Sequence, residues 1–408
     1  MHVTAYLRGT LSLLTLACFV ACPAARGADV AAPPGIVISH SPQSTGKYIG
    51  SPSITVLPSG HYLAAHDYFG PESNEHVCAT AVVFRSEDRG ESWTRLAEMQ
   101  CLFWPKLFTH RGAVYLLAVE KHHGAIVIRR SDDEGAHWTE PLDAHSGRLT
   151  PSEEQYHTAP GPVIEYKGRL WRAFEDAMGG IRWGERYQAL MMSAPVDADL
   201  LNASSWTFSN PLPRDPLWLD GTFGGWLEGN AVVDPSGAIV NVLRVDTPGY
   251  PEKAALVTVS EDGSAVSFDP CSGFIDFPGG AKKFTIRHDP ESGFYWTLSS
   301  IVQEQYVGTE RPARIRNTLA PMRFPDLRQW EVRAIILHHP EVEHHGFQYV
   351  DWQFEGNNLI AVCRTAYDDD EGGARNNHDA NFMTFHRIMD FRTLTTADPL
   401  CADRISDS

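Results

Sequence analysis

The chain has 408 residues, 43% of them hydrophobic and 11% aromatic, enough to bury the core of one large all-β domain or of two average domains. Its formal charge of −17 excludes the basic face that nucleic acid or an anionic membrane surface would require. An acidic ligand would have to find a local basic pocket.

The first residues show Arg8, an apolar run from Leu11 to Ala21 and then Pro23-Ala24-Ala25-Arg26-Gly27-Ala28, the pattern of a bacterial-type secretory signal. Residues 1–28 are set aside on that ground, and one domain over 29–408 is expected in a secreted or periplasmic location. Phe19-Val20-Ala21-Cys22 loosely resembles a lipoprotein attachment site, which would leave the protein anchored instead. No later segment is apolar enough to span a membrane. The cysteines that follow are Cys78, Cys101, Cys271, Cys363 and Cys401, an odd and scattered set without metal-ligand spacing, so no metal site is expected of them. Cys78 and Cys101 could bridge in an oxidising compartment or remain two buried thiols.

Apolar alternation broken by short Gly, Asp or Asn turns predicts six inner hairpins: Ile54 to His66, Leu107 to Val119, Pro162 to Phe174, Ala231 to Val245, Phe284 to Ser299 and Tyr349 to Arg364. Each is read as followed by an outer hairpin. Two of these carry copies of one turn, Ser86-Glu87-Asp88-Arg89-Gly90-Glu91-Ser92-Trp93 and Ser131-Asp132-Asp133-Glu134-Gly135-Ala136-His137-Trp138, starting 45 residues apart. In such a turn the Ser and Asp oxygens bond nearby backbone N–H groups, Gly takes a positive φ, and Trp folds back over the loop. Eroded relatives stand at Ser260-Glu261-Asp262-Gly263, at Pro325 to Trp330 and in the longer Ser193 to Trp206 segment. A repeat of this length with paired hairpins predicts an all-β, six-bladed β-propeller with four antiparallel strands per blade; seven blades, one of them unseen, is the alternative.

In a propeller blade the first strand begins, and the second ends, at the same face. The strand starts bring Ser51-Pro52-Ser53, Pro105-Lys106, His157-Thr158, Glu228, Lys283 and Tyr349 with Asp351 to that face. The strand ends add His66-Asp67, Glu120-Lys121, Glu175-Asp176, Arg244 and Arg364. Carboxylates, imidazoles, cations and a phenol converging on one axis suit the binding and cleavage of charged sugars. Trp104, Trp226 and Trp352 could stack on sugar faces or belong to the blade core. The longest loop on this face, Tyr367 to Asp379, is acidic; it could hold Ca²⁺, although a solvated acidic loop is the simpler reading. His378-Asp379, followed by Asn381, returns the chain towards the axis, where it could meet substrate hydroxyls.

The repeated turns resemble the Asp box of sialidases and related propellers. Trp226-Leu227-Glu228-Gly229-Asn230-Ala231-Val232-Val233, with Val242-Leu243-Arg244, resembles the family's strand pair carrying the general-base Glu and one Arg of a carboxylate-binding triad. Arg316-Asn317-Thr318-Leu319 is similar to the strand carrying another triad Arg, and Tyr349-Val350-Asp351 falls where the family places its nucleophilic Tyr. At the start of the first blade, where the family has Arg-Ile-Pro, this chain reads Tyr48-Ile49-Gly50-Ser51-Pro52, so the first Arg is missing. The resemblance implies a sialidase-like exo-glycosidase acting on a terminal acidic sugar of a glycan. Tyr349 would be the nucleophile and Glu228 its base, with Asp67, His66 or His157 as acid/base group. Arg244, Arg316, Lys106, Lys283, Asp351, Arg364 and His378 would contact substrate. No cofactor is expected, and the protein is expected to be a monomer. Two alternatives are a lyase on a uronate polymer, using His157 or His66 with Tyr349 and Arg244, and a non-catalytic glycan-binding propeller.

Overall fold

The computed structural model describes residues 1–2 and 32–396. The stretch from Arg8 to Ala28, expected to be a secretory signal, with its Cys22, and Cys401 lie outside the described residues. Six small antiparallel sheets form the blades. Blade 1 contains Ser53–Val56, Tyr62–Phe69, Thr80–Ser86 and Thr94–Gln100, and blade 2 contains Phe103–His110, Ala113–Val119 and Ile126–Ser131. Blade 3 is built on Tyr156–His157, Arg169–Asp176 and Gln188–Pro195, and blade 4 on Gly225–Val233, Ile239–Asp246 and Lys253–Val259. Blade 5 is built on Thr285–His288, Tyr295–Ser300 and Thr318–Phe324, and blade 6 on Gly346–Glu355, Asn358–Ala366 and Phe382–Ile388.

Each central strand is buried on both faces, and its period of two sends alternate residues to different neighbours. In Ala113–Val119, Ala113, Tyr115, Leu117 and Val119 pack with Leu170, Phe174 and Leu190 of blade 3. Val114, Leu116 and Ala118 pack with Leu63, Ala65 and Val83 of blade 1. The same arrangement recurs around the ring, so the core is six apolar wedges between blades.

Both repeated turns fold alike. Gly90 N–H donates to Ser86 Oγ (2.7 Å), Ser92 N–H to Asp88 Oδ1 (2.9 Å) and Trp93 Nε1 to Gly90 O (3.1 Å). The matching bonds in the second copy are Gly135 N–H to Ser131 Oγ (2.8 Å), His137 N–H to Asp133 Oδ1 (2.9 Å) and Trp138 Nε1 to Gly135 O (2.8 Å).

Two blades depart from the expected paired hairpins. Blade 2 is three-stranded, and beyond its turn only a bridge between Val127 and Arg148 continues the sheet. In blade 6 the outer strand comes from the other end of the ring: Ile36–His40 pairs antiparallel with Phe382–Ile388, Ile36 opposite Phe385 and His40 opposite Phe382. Cys78 and Cys101 form a disulfide. No helix among the described residues is long and apolar enough to cross a membrane.

Candidate active site

Three inner strands share a kink. Pairing slips between Phe103 and Lys106, between Leu227 and Asn230, and between Gln348 and Asp351. Within each slip one non-glycine residue has a positive φ: Trp104 (55°), Glu228 (56°) and Tyr349 (53°). These β-bulges cost about 1–2 kcal/mol per left-handed residue. All three residues line one cavity of about 550 Å³ at the strand-start face. Backbone strain of this kind, gathered around a pocket, re-aims side chains that an even pleat would bury. Gly229 is needed at the middle bulge, because a Cβ there would lie 2.2 Å from Asn241 Oδ1.

The residues two places beyond the bulges turn down the axis instead of into the cavity. Lys106 Nζ pairs with Asp351 Oδ2 at 2.5 Å, and the same oxygen accepts from Ser53 Oγ (3.1 Å) and Ile54 N–H (3.0 Å). Lys283 Nζ donates to Val350 O and Thr285 Oγ1, both at 2.7 Å. Lys106, Lys283 and Asp351, expected to contact substrate, are therefore a buried stitch that ties the inner strands beneath the floor. His66 is also displaced from its expected role. It points opposite to Asp67, stacks on Phe84 (5.7 Å between centroids), and its two nitrogens meet Ser39 Oγ (3.0 Å) and Asp67 O (2.9 Å). Burial takes its pKa down to about 4. Trp226 and Trp352 are wholly buried in blade core, whereas Trp104 lines the cavity.

The remaining expected residues converge. Tyr349 Oη donates to Glu228 Oε1 at 2.8 Å, and Arg244 Nη1 donates to Glu228 Oε2 at 2.9 Å. Burial works to raise the Glu228 carboxyl, but the Arg244 guanidinium, His157 and the two hydrogen bonds outweigh it and hold the group below the usual Glu value. Burial and the Glu228 charge push the Tyr349 phenol up against the pull of Arg244, Arg316 and Arg364. At rest, then, a protonated phenol faces an ionised carboxylate.

Arg316 and Arg364 flank the Tyr349 ring, their guanidinium carbons 6.0 and 4.7 Å from its centroid. Arg316 is held by Gln348 Oε1 and Arg364 by the His378 carbonyl. Neither is ion-paired to a carboxylate among the described residues, and Nε of Arg244, Arg316 and Arg364 is in each case buried without a hydrogen-bond partner. Burial lowers the Arg316 pKa to about 10. Arg364 enters from blade 6 beside Phe69 of blade 1, its guanidinium carbon 4.5 Å from that ring. A cation of blade 6 thus stands against blade 1.

Asp67 lines the cavity with Oδ1 on the Ser51 N–H (3.0 Å) and Oδ2 buried without a partner. Burial raises its pKa from 3.8 to about 7, against the Ser51 hydrogen bond and the Arg364 charge. Gly50 makes the room, since a Cβ there would sit 2.1 Å from Asp67 Oδ2. His157 lines the opposite wall, its Nδ1 2.8 Å from Glu175 Oε2. Glu175 also accepts from the Gly229 N–H at 3.1 Å, which links His157 to the Glu228 bulge. The sequence reading placed Glu175 on the ring but gave it no role; its signal was its place opposite His157 on the neighbouring strand. His378 lines the rim, its Nδ1 on Asp379 Oδ1 at 2.8 Å. Phe103, His76, His122 and Trp183 complete the wall around Trp104, and the sequence reading missed them because they come mostly from connecting loops. In the acidic loop, Asp369 is taken up by His40, Asn381 and the amides of Glu371 and Gly373. Those bonds tie the loop to itself, to His40 and to Asn381.

Neither a protein-family model nor any curated protein matches the sequence. Solved structures match by shape. A Hadza microbial sialidase aligns over 88% of this chain and 69% of its own at 13% identity, with a TM-score of 0.60. An α-L-arabinanase of Penicillium chrysogenum, solved with arabinobiose, aligns over 88% and 98% at 15% identity, with a TM-score of 0.53. The chain has the sialidase-like six-bladed propeller fold. A GH93 α-L-arabinofuranosidase of Fusarium graminearum is a third example, with a TM-score of 0.54 at 11% identity over 86% and 96%. At such identities the likeness is one of fold. What the site can do follows from its own atoms: a phenol beside a base, a carboxyl that is protonated near neutrality, and two guanidiniums without counter-ions.

Proposed function

We propose that the protein is an exo-acting, retaining glycoside hydrolase that removes a terminal acidic sugar from a glycan. The observation that carries this reading is the Tyr349–Glu228 hydrogen bond of 2.8 Å on the floor of a cavity walled by Arg316 and Arg364. Glu228 takes the phenolic proton as Tyr349 Oη forms a bond to the anomeric carbon. The glycosidic bond breaks as protonated Asp67 gives its proton to the leaving oxygen. Ionised Asp67 then takes a proton from water, which displaces Tyr349, and Glu228 returns the phenolic proton. A neutral phenol suits a substrate bearing a carboxylate, because a carboxylate nucleophile would repel it. Two buried guanidiniums without counter-ions favour an anionic ligand over a neutral one, since an unpaired buried charge is costly and a bidentate carboxylate offsets that cost. Fold relatives named as sialidases and arabinofuranosidases support glycoside hydrolysis as the reaction class. Export fits the Cys78–Cys101 disulfide, a bond that persists in oxidising compartments.

The His157–Glu175 pair favours one second reading, a lyase. With Nδ1 held by Glu175, His157 is oriented as a base would be, facing a cavity that could neutralise a uronate. The test is incubation of the mature protein with sialylated and uronate-containing glycans, following reducing ends and ultraviolet absorbance together. The hydrolase releases reducing ends without absorbance, and Tyr349→Phe and Glu228→Gln each reduce kcat by about 10²–10⁴-fold. Absorbance that survives in Tyr349→Phe and disappears in His157→Ala would overturn the hydrolase in favour of the lyase.

A further inference from the structure

The connection between blades 5 and 6 gathers side chains that the catalytic reading leaves unused. His339, Glu341 and His345 each offer one ligating atom, and these atoms lie within 4.8 Å of one another. The two imidazoles are stacked with centroids 3.5 Å apart and planes 15° apart, so the less buried His339 ring must turn out of the stack for both in-plane lone pairs to meet one ion. Glu341 Oε2 is 2.5 Å from His345 Nδ1. On the other side of that ring, His345 Nε2 has Asp368 Oδ2 at 3.4 Å. The cluster spans two blades: His339 exchanges backbone and side-chain bonds with Asn317 of blade 5 (3.0 and 2.7 Å), and His345 directly precedes the first strand of blade 6.

We propose that His339, Glu341 and His345 form a binding site for a divalent transition metal, Zn²⁺, that clamps blade 5 to blade 6. Two imidazole nitrogens with one carboxylate oxygen suit Zn²⁺; Ca²⁺ and Mg²⁺ prefer shells made of oxygen. His345 Nε2 is buried without a hydrogen-bond partner, and Asp368 Oδ2, 3.4 Å away, is the carboxylate placed to take the Nε2–H on a small shift and leave Nδ1 of His345 for the metal, as second-shell partners of ligating histidines commonly do. The Glu341 side chain is 40% exposed and that of His345 only 6%, so an ion can enter from solvent onto a ligand fixed by packing.

A clamp here would act on the cavity through hydrogen bonds. Asn377 lines the cavity rim, its N–H donates to Glu343 O (2.7 Å) and its Nδ2 to Val342 O (2.7 Å), both inside the metal-binding segment. The Asn377 carbonyl accepts from Gln348, whose Oε1 accepts from Arg316. The metal therefore positions Arg316 from a distance and touches no substrate. The proposal is independent of the reaction assigned to Tyr349.

The experiment strips the mature, full-length protein with EDTA and titrates it with Zn²⁺ by calorimetry, with Co²⁺ absorption as a readout of nitrogen and oxygen ligation. One equivalent binds to the wild type and raises its melting temperature. Glu341→Gln, at a partly exposed position, and His345→Asn lose that binding and that rise, and Asp368→Asn weakens binding by about 10–100-fold. If the stripped wild type takes up no Zn²⁺, the proposal fails. It fails equally if folded Glu341→Gln and His345→Asn bind like the wild type, which would place the ion elsewhere, as at the His76–His122 pair whose Nδ1 atoms are 3.4 Å apart.

Discussion

Asp67→Asn separates a protonated catalytic carboxyl from a merely buried one, because it should change stability and rate over the same pH range. The wild-type carboxyl moves from 3.8 to about 7 on folding, with burial as the main cause. The folded state therefore holds this proton where the unfolded chain has already released it, and stability conferred by the proton is full below the unfolded value and is lost as pH rises through the folded one. A difference of about three pH units is worth ~4 kcal/mol, an order-of-magnitude figure undiminished by solvent because Asp67 is 1% exposed. Denaturant melts of wild type and Asp67→Asn at pH 5, 6, 7 and 8 measure it. The wild type should weaken by a few kcal/mol relative to the variant between pH 5 and 8. In the same range, wild-type kcat/KM should fall above pH 7 as the acid is lost, and on the acid side should fall only below the usual Glu range, where Glu228 protonates. Asp67→Asn should have no basic limb. Parallel pH profiles for the two proteins, in stability and in rate, would refute the reasoning.

Arg364→Gln should raise KM for an acidic substrate by about 10–100-fold, the loss of a charge-assisted hydrogen bond, while a substrate with its carboxylate reduced to an alcohol is affected far less. Its melting temperature should not fall, since the guanidinium removed has no carboxylate partner; a large drop would show that Arg364 serves the fold. Gly50→Ala should cost about 1–3 kcal/mol and most of the activity, because its Cβ would collide with Asp67 Oδ2 and with the Asp67 carbonyl 2.6 Å away; a crystal structure with Asp67 unmoved would contradict this. Reducing the Cys78–Cys101 bond, which closes a loop of 23 residues, should cost about 2–4 kcal/mol in a thermal melt and loosen the wall bearing His76 and Trp104.

The blade hairpins were legible because their signals are local: a run such as Ala113 to Val119 is apolar on both faces, and Gly-containing turns separate the runs. Glu228, Arg244, Tyr349, Arg364, Asp67 and His157 reach the cavity as their strand ends suggested, and Arg316, expected from the family resemblance, and His378, expected from the loop that returns towards the axis, line it too. Lys106 and Asp351 do not, because a bulge shifts the parity of the strand and sends the residue two places on into the axis; Lys283 precedes a strand that pairs without a bulge and is taken up by Val350 O and Thr285 Oγ1. His66 and Asp67 are adjacent and so face opposite ways, and alternation alone cannot say which faces in. His76 and His122 were hidden because loops have no period. The pairing of Ile36–His40 with Phe382–Ile388 was hidden for another reason: nothing local in a five-residue strand names a partner at the far end of the chain.

That last pairing makes the active site a full-ring property. Tyr349 and Arg364 both belong to the blade whose outer strand is Ile36–His40, while Glu228 and Arg244 sit on a blade that needs neither end. A chain made from its N-terminal side presents Ile36–His40 long before Phe382–Ile388 and must leave it unpaired until that strand follows, so an exposed edge is the state from which aggregation competes. A fragment cut at either end keeps its base and loses the footing of its nucleophile. The hydrolysis proposed here would thereby report that the whole ring has closed, and partial folding products would stay chemically silent.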